Sequence, residues 1–330
     1  MSAQTCPIRP TPLPVSLAEL NRTAVMGICN VTPDSFSDGG RYLEPDQALA
    51  HCRRMLAEGA DLIDVGGETT KPGAGRVSQA EELARVLPLI RQLAAEGVPV
   101  SVDTTRAAVA QAALEAGASL INDVSGGLAD PGMLPLAAQT GAAIVLMHWR
   151  GASATMDQLD NYHDPAAEVA AELEARAQAA LAAGINRHQI ALDPGLGFAK
   201  VEDSNWQVLA GLDRIQALGF PVLVGASRKR FLDSANTSPA DLTGRDPATA
   251  AISALTASQG VWCVRVHAVA ASAAAVQVAA KLRDAASGNQ GELWNAGSGI
   301  GNQGQPPSGA GTHRDSPEPS TRGPEEGMMG

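Results

Sequence analysis

Asp103, Asn122, Asp193, Lys229, Arg265 and His267 stand where short apolar runs give way to turns. Asn30, Asp64 with Glu68 beyond it, and His148 end further runs in the same way. Carboxylates and amides gathered together accept N–H groups, and cationic side chains oppose carbonyl oxygens or anions. One Asp or Asn after a strand is ordinarily an N-cap for the following helix. When every apolar run in the chain ends in a polar or ionisable group, the pattern describes the rim of a site instead. Basic residues are written as 20 Arg against four Lys, and Lys71, Lys200 and Lys229 follow the second, sixth and seventh runs. A lysine where arginine is the norm supplies a compact ammonium on a mobile stem.

The elements that must carry these groups are regular. The apolar runs are Ala24–Asn30, Asp61–Gly66, Val98–Asp103, Ser119–Asp123, Ala142–His148, Gln189–Asp193, Pro221–Ser227 and Val261–His267. Alanine-rich amphipathic segments separate them. In 166–183, for example, Val169, Leu173 and Leu181 share a face while Glu168, Glu172, Glu174 and Arg176 take the others. Strands apolar enough to be covered on both faces, alternating with helices, require a parallel sheet. Eight such units in 15–283 predict an α/β fold of the (β/α)8 TIM barrel type, whose site lies at the C-terminal ends of the strands. An open doubly wound sheet is the alternative, but the first strand-to-helix turn has no GxGxxG. Residues 31–45 and 67–77 form long turn-rich loops, suited to lids or binding loops.

Residues 1–14, with four prolines, read as a flexible N-terminus, and 284–330, with 11 Gly and 5 Pro, as a disordered tail. A net charge of −11 offers no general field for nucleic acid or anionic lipid. An anionic ligand needs a local basic pocket. No apolar stretch is long enough to span a membrane. Cys6, Cys29, Cys52 and Cys263 have neither zinc spacing nor a disulfide framework, which reads as free thiols and a cytoplasmic location.

The segments MGICNVTPDSFSDGG (26–40) and DLIDVGGETTKPGAG (61–75) closely resemble the two loop signatures of the dihydropteroate synthase family. SVDT (101–104), NDVSGG (122–127), LMHWRG (146–151), DPGLGFAK (193–200), GASRKRF (225–231) and RVH (265–267) follow in the family's order, so the resemblance covers 22–283. It implies condensation of 6-hydroxymethyl-7,8-dihydropterin diphosphate with 4-aminobenzoate to give 7,8-dihydropteroate and pyrophosphate, inhibition by sulfonamides, and a homodimer. It also implies Mg2+ on the diphosphate, with Asn30 as the direct protein ligand. The residues suit that chemistry. Asp103, Asn122 and Asp193 match the N–H donors of an aminopyrimidinone edge, and Lys229 its carbonyl. Arg265, His267 and Lys71 match the leaving pyrophosphate, and Asp38 is the candidate for steadying the carbocation or the amine. Thr70 and Lys71, with Pro33 and Phe36, resemble the family's walls for 4-aminobenzoate and pyrophosphate. Ser227 reads as a cap or an orienting group for Lys229, and His148 has no assigned role.

Three positions depart from the family pattern: Thr69 replaces Ser, Lys71 replaces Arg, and Ala268 stands where RVH is followed by Asp. These departures motivate one alternative, a non-catalytic pterin-binding paralogue; the other is a methyltetrahydrofolate methyltransferase of the same superfamily, which would share the pterin-edge residues but need no diphosphate apparatus. The two loop signatures favour the synthase over the methyltransferase.

Overall fold

A computed structural model describes residues 9–31, 45–68, 77–151, 156–235 and 243–297. Eight strands pair in parallel: β1 (Ala24–Asn30), β2 (Leu62–Gly66), β3 (Val100–Asp103), β4 (Leu120–Asp123), β5 (Ala143–Met147), β6 (Ile190–Asp193), β7 (Leu223–Val224) and β8 (Cys263–Val266), in the order β6-β5-β4-β3-β2-β1-β8-β7. The ends of that sheet meet through a bridge between Leu192 and Val222, where the Leu192 N–H donates to Pro221 O at 2.8 Å. The result is the nearly closed eight-stranded barrel that the alternating sequence requires.

A short helix, α1 (Val15–Ala18), precedes β1, and α2 (Pro45–Ala57), α3 (Gln79–Ala95), α4 (Ala107–Glu115), α5 (Met133–Thr140) and α6 (Pro165–Ala182) each cross over to the next strand. α7 (Glu202–Ala210) and α8 (Leu212–Gln216) follow β6, α9 (Asp246–Ser258) follows β7, and α10 (Val269–Gly297) follows β8.

Strand alternation sorts side chains into two cores. Ile63, Val65, Val100, Val102, Ile121, Ile144, Leu192 and Val264 pack outward against the helices. Ala24, Met26, Leu62, Leu120, Ala143, Val145, Ala191, Leu223 and Cys263 fill the barrel, joined by Leu17 and Trp262. Counting in twos from the interior set along β2, β4, β6 and β8 reaches Asp64, Asn122, Asp193 and Arg265. The same parity that fills the barrel therefore aims its polar strand ends at one another.

Two expected boundaries move. Residues 9–14 are not loose: the Thr11 N–H donates to His188 O at 2.6 Å, and Leu13 packs against the barrel-filling cluster. Prolines at 10, 12 and 14 pre-set extended backbone, so ordering this segment loses less entropy than its composition suggests. The disordered tail was placed from 284, but α10 continues to Gly297. Ala, Gln, Glu and Leu extend a helix already nucleated upstream, where each added residue brings its own backbone bond. The chain divides into two units, 1–286 and 287–330, and the described part of the second is this helical segment. Among the described residues no helix is long and apolar enough to cross a membrane, and Cys29, Cys52 and Cys263 are buried free thiols.

Candidate active site

Pairing sets Asn30 beside Gly66, Gly66 beside Asp103, Asp103 beside Asn122, and Met147 beside Asp193. Arg265 pairs with Met26 whereas Asp64 pairs with Ile28, so the long guanidinium stem starts deeper and rises between carboxylates. Its Nε donates to Asp64 Oδ2 and its Nη2 to Asp103 Oδ2, both at 2.6 Å. Asn122 Nδ2 donates to the same Asp64 Oδ2 at 3.1 Å, while Asp64 Oδ1 is buried without a hydrogen-bond partner. Burial would lower the Arg265 pKa, but Asp64 and Asp103 outweigh it and hold the guanidinium more firmly charged than usual. Asp103 is pushed up to about 7 by burial, Arg265 opposing and Asp64, Glu82 and Asp123 adding to the shift. Two of the five guanidinium N–H donors thus go to this carboxylate pair.

Across the barrel mouth, Asp193 is buried and its pKa is raised by burial, with Lys229 the largest charge opposing that shift. Burial lowers Lys229 to about 8, with Asp193 the largest charge resisting. The two do not close into an ion pair, so each retains capacity for a ligand edge laid between them. Asp193 Oδ1 accepts from the Gly195 N–H at 2.7 Å. Lys229 Nζ donates to Leu196 O and lies 4.7 Å from the Phe198 ring centre. Gly195 has φ +63, and a Cβ there would stand 2.3 Å from His148 O, so only glycine allows this turn. Ala199 (φ 49) and Arg228 (φ 57) are the non-glycine residues in left-handed backbone among those described, and each immediately precedes a lysine, buried Lys200 and half-buried Lys229. Such strain persists where surrounding contacts over-determine it. Arg228 is held by a two-pronged pair with Asp246, both bonds 2.8 Å.

His267 lies beside this cationic wall. Burial, then Arg228, Arg265 and Lys229, lower its pKa to about 3, so the imidazole is neutral. Ser227 Oγ meets its Nδ1 at 3.0 Å and accepts from the His267 N–H at 3.1 Å. Ser227 therefore positions His267 rather than Lys229, and Nε2 is left for a ligand. At the departing position, Ala268 O accepts from the Ser272 N–H at 3.3 Å at the start of α10.

A second network clamps the ends of the second loop. Glu68 Oε1 accepts from the Val77 N–H at 3.0 Å and from Arg106 Nη2 at 3.1 Å. Arg106 also donates to buried Glu82, whose other oxygen accepts from Thr104 Oγ1 at 2.6 Å. Asn30 Oδ1 stands at the mouth, 3.1 Å from where a Gly66 Cβ would be, with Asp103 Oδ2 3.7 Å from the same point.

The structure thus brings together Asn30, Asp103, Asn122, Asp193, Lys229, Arg265 and His267. Pro33, Phe36, Asp38, Thr70 and Lys71 lie outside the described residues. Sequence reasoning left three groups off the site. Asp64 was noted only as a strand end, although a carboxylate inside the run LIDVG must find a partner. Lys200 reads as a lysine following a strand and Glu172 as part of a solvated helix face; the structure joins both to His148, Lys200 buried and Glu172 with its side chain 41% exposed.

Residues 26–267 match the model of the pterin binding enzyme family. The dihydropteroate synthase of Mycobacterium leprae is 53% identical over 262 residues, 77% of this chain and 91% of that protein. Among solved structures, the Xanthomonas albilineans dihydropteroate synthase with 4-aminobenzoic acid is 44% identical, covering 79% of this chain and 93% of that one with a TM-score of 0.74. The Yersinia pestis dihydropteroate synthase with a sulfonamide drug is 41% identical, covering 81% and 96% with a TM-score of 0.75. With its barrel, its strand-end residues and these likenesses in agreement, the chain belongs to the dihydropteroate synthase family of pterin binding enzymes.

Proposed function

We propose that the chain condenses 6-hydroxymethyl-7,8-dihydropterin diphosphate with 4-aminobenzoate. The observation that carries this reading is the pair of buried faces across the barrel mouth, Asp103 and Asn122 organised by Arg265 and Asp64 on one side, Asp193 and Lys229 on the other. The carboxylates and the amide take the N–H groups of the pterin edge, and Lys229 donates to its carbonyl. The C–O bond to diphosphate breaks, the arylamine lone pair forms the new C–N bond, and the amine proton leaves to solvent or pyrophosphate. A neutral arylamine needs no general base first. His267 Nε2 and Lys71 face the leaving group, Asp38 steadies the cation or the amine, and Pro33, Phe36, Thr70 and Lys71 wall the 4-aminobenzoate pocket.

Among the described residues no cluster of three His, Cys, Asp or Glu could hold a metal. A single hard amide oxygen, Asn30 Oδ1, fits Mg2+, which keeps waters and substrate phosphates as its other ligands. When bound it would act as a Lewis acid on the diphosphate. We also propose a homodimer and a cytoplasmic location.

The test is incubation of the protein with both substrates and Mg2+, following pyrophosphate and 7,8-dihydropteroate. Pterin binding without product would favour the non-catalytic paralogue. Sulfonamides are expected to raise the KM for 4-aminobenzoate without lowering kcat, because an arylamine with a polar para group fits the same walls. Inhibition that extra 4-aminobenzoate does not relieve would place the drug elsewhere. Deleting 298–330 is expected to leave turnover and melting temperature unchanged, since the barrel and every proposed site residue precede it. A loss of turnover in a soluble truncated protein would give that segment a part in the reaction.

A further inference from the structure

Lys200 is 3% exposed, and no carboxylate touches it. Its three N–H donors go to His148 Nδ1 at 2.9 Å, Phe198 O at 3.0 Å and Gly195 O at 3.1 Å. Burial lowers the Lys200 pKa to about 7 and that of His148 to about 4, so the ring is neutral. The Glu172 carboxylate can only accept, so the His148 proton sits on Nε2, which donates to Glu172 Oε2 at 3.0 Å, and Nδ1 accepts from Lys200. Glu172 is fixed in turn by Arg150 Nε at 3.0 Å. A buried lysine head held by two carbonyls and an imidazole, with no carboxylate beside it, is an expensive way to stabilise a fold. Its placement gives it another use. The carbonyls it holds bracket the turn whose front face carries the Gly195 N–H on Asp193, the Leu196 carbonyl on Lys229 and the Phe198 ring beneath that ammonium. The turn ends at left-handed Ala199, a conformation that relaxes unless something holds both sides.

We propose that Lys200 is a positioning residue for the pterin substrate, fixing the 195–198 backbone from behind so that Asp193 and Lys229 stand apart at the separation a pterin edge requires. His148 is the acceptor that selects this arrangement, and Glu172 sets its tautomer. The proposal rests on the reaction assigned above for its ligand, but not for its structural content.

The experiment compares the full-length chain with Lys200→Met, His148→Asn, which keeps an acceptor near the Nδ1 position, and His148→Leu, which does not. Lys200→Met is expected to raise the KM for pterin diphosphate by at least about tenfold while leaving that for 4-aminobenzoate within about twofold. Hydrogen exchange at 195–198 should quicken in the ligand-free variant while the amides of β1 to β4 keep their protection. His148→Asn should stay within about threefold of the parent and His148→Leu should follow Lys200→Met. Wild-type pterin KM and exchange in a folded Lys200→Met or His148→Leu would overturn the proposal. So would an equal loss for both substrates accompanied by strand exchange, which marks a purely structural role. If the parent chain makes no dihydropteroate, the reaction is lost, and the exchange comparison alone decides the loop.

Discussion

Asp193→Asn is expected to weaken binding of the pterin substrate by about 10²-fold or more while leaving the melting temperature unchanged or higher. A carboxylate accepts from two N–H groups of an aminopyrimidinone, whereas an amide offers one accepting oxygen and turns a donor toward a donor. Hydrogen bonds to charged groups contribute about 1.5–3 kcal/mol each, and an unpaired buried group adds its own penalty, so about 3 kcal/mol, or 10²-fold, is a modest expectation. Stability should move the other way. Burial raises the Asp193 pKa, so ionising it disfavours the native state, and Asn removes that charge while its Oδ1 can still accept the Gly195 N–H. Calorimetric titration with 7,8-dihydropteroate, beside a thermal melt, reads both. Unchanged affinity would remove Asp193 from the pterin edge, and loss of a cooperative melt would make it structural.

Arg265→Met should be the most destabilising single change in the barrel mouth. It leaves Asp64 and Asp103 buried without the guanidinium that donates to both, and removing one partner of a buried ion pair costs about 3–5 kcal/mol. The loss depends on pH, with a sign that the Asp103 carboxyl fixes. Its folded pKa, about 7, lies above the ordinary carboxylate value of 3.8, so the native state holds a proton that the unfolded chain releases. Its contribution to stability therefore falls as pH rises from about 4 to 7. Deleting Arg265 removes the charge that opposes this shift and extends the fall above pH 7. Urea unfolding should show a large deficit near pH 8 and a smaller one near pH 5, where Asp103 is already protonated. A deficit that does not change with pH would show that lost packing of the arginine stem, rather than uncompensated charge, is responsible.

What the sequence discloses here follows from where its patterns are local. β1 was read as Ala24–Asn30, and the structure places it there, because a continuous apolar run closed by a polar residue is a strand's complete signature. Pro221–Ser227 shrank to Leu223–Val224, since Pro221 lacks an N–H and Gly225 and Ser227 belong to the loop that carries Lys229. Strand ends aimed inward by parity, Asp103, Asn122 and Asp193 among them, are legible for the same reason. Partner choice is not. Arg265 reads as a cation for an anion, and only the barrel shows that it also sits against Asp64, 201 positions away. Glu172 reads as a solvated charge, and only the packing of α6 beside β5 shows that it also meets His148.

The barrel is not equally fastened all the way round. Four or five paired residues join most neighbouring strands, but β7 is joined to β8 by two pairs and to β6 by the bridge from Leu192 to Val222. A cylinder breathes along its thinnest seam, because local opening costs least where fewest bonds must break together. That seam runs between Asp193 and Lys229. The first excursion of the native barrel is thus a widening of the gap into which a flat heterocycle must slide, and a ligand that bridges it works as a stitch. Amides flanking the seam should exchange fastest among the strand amides in the empty protein and gain the most protection when the heterocycle is bound.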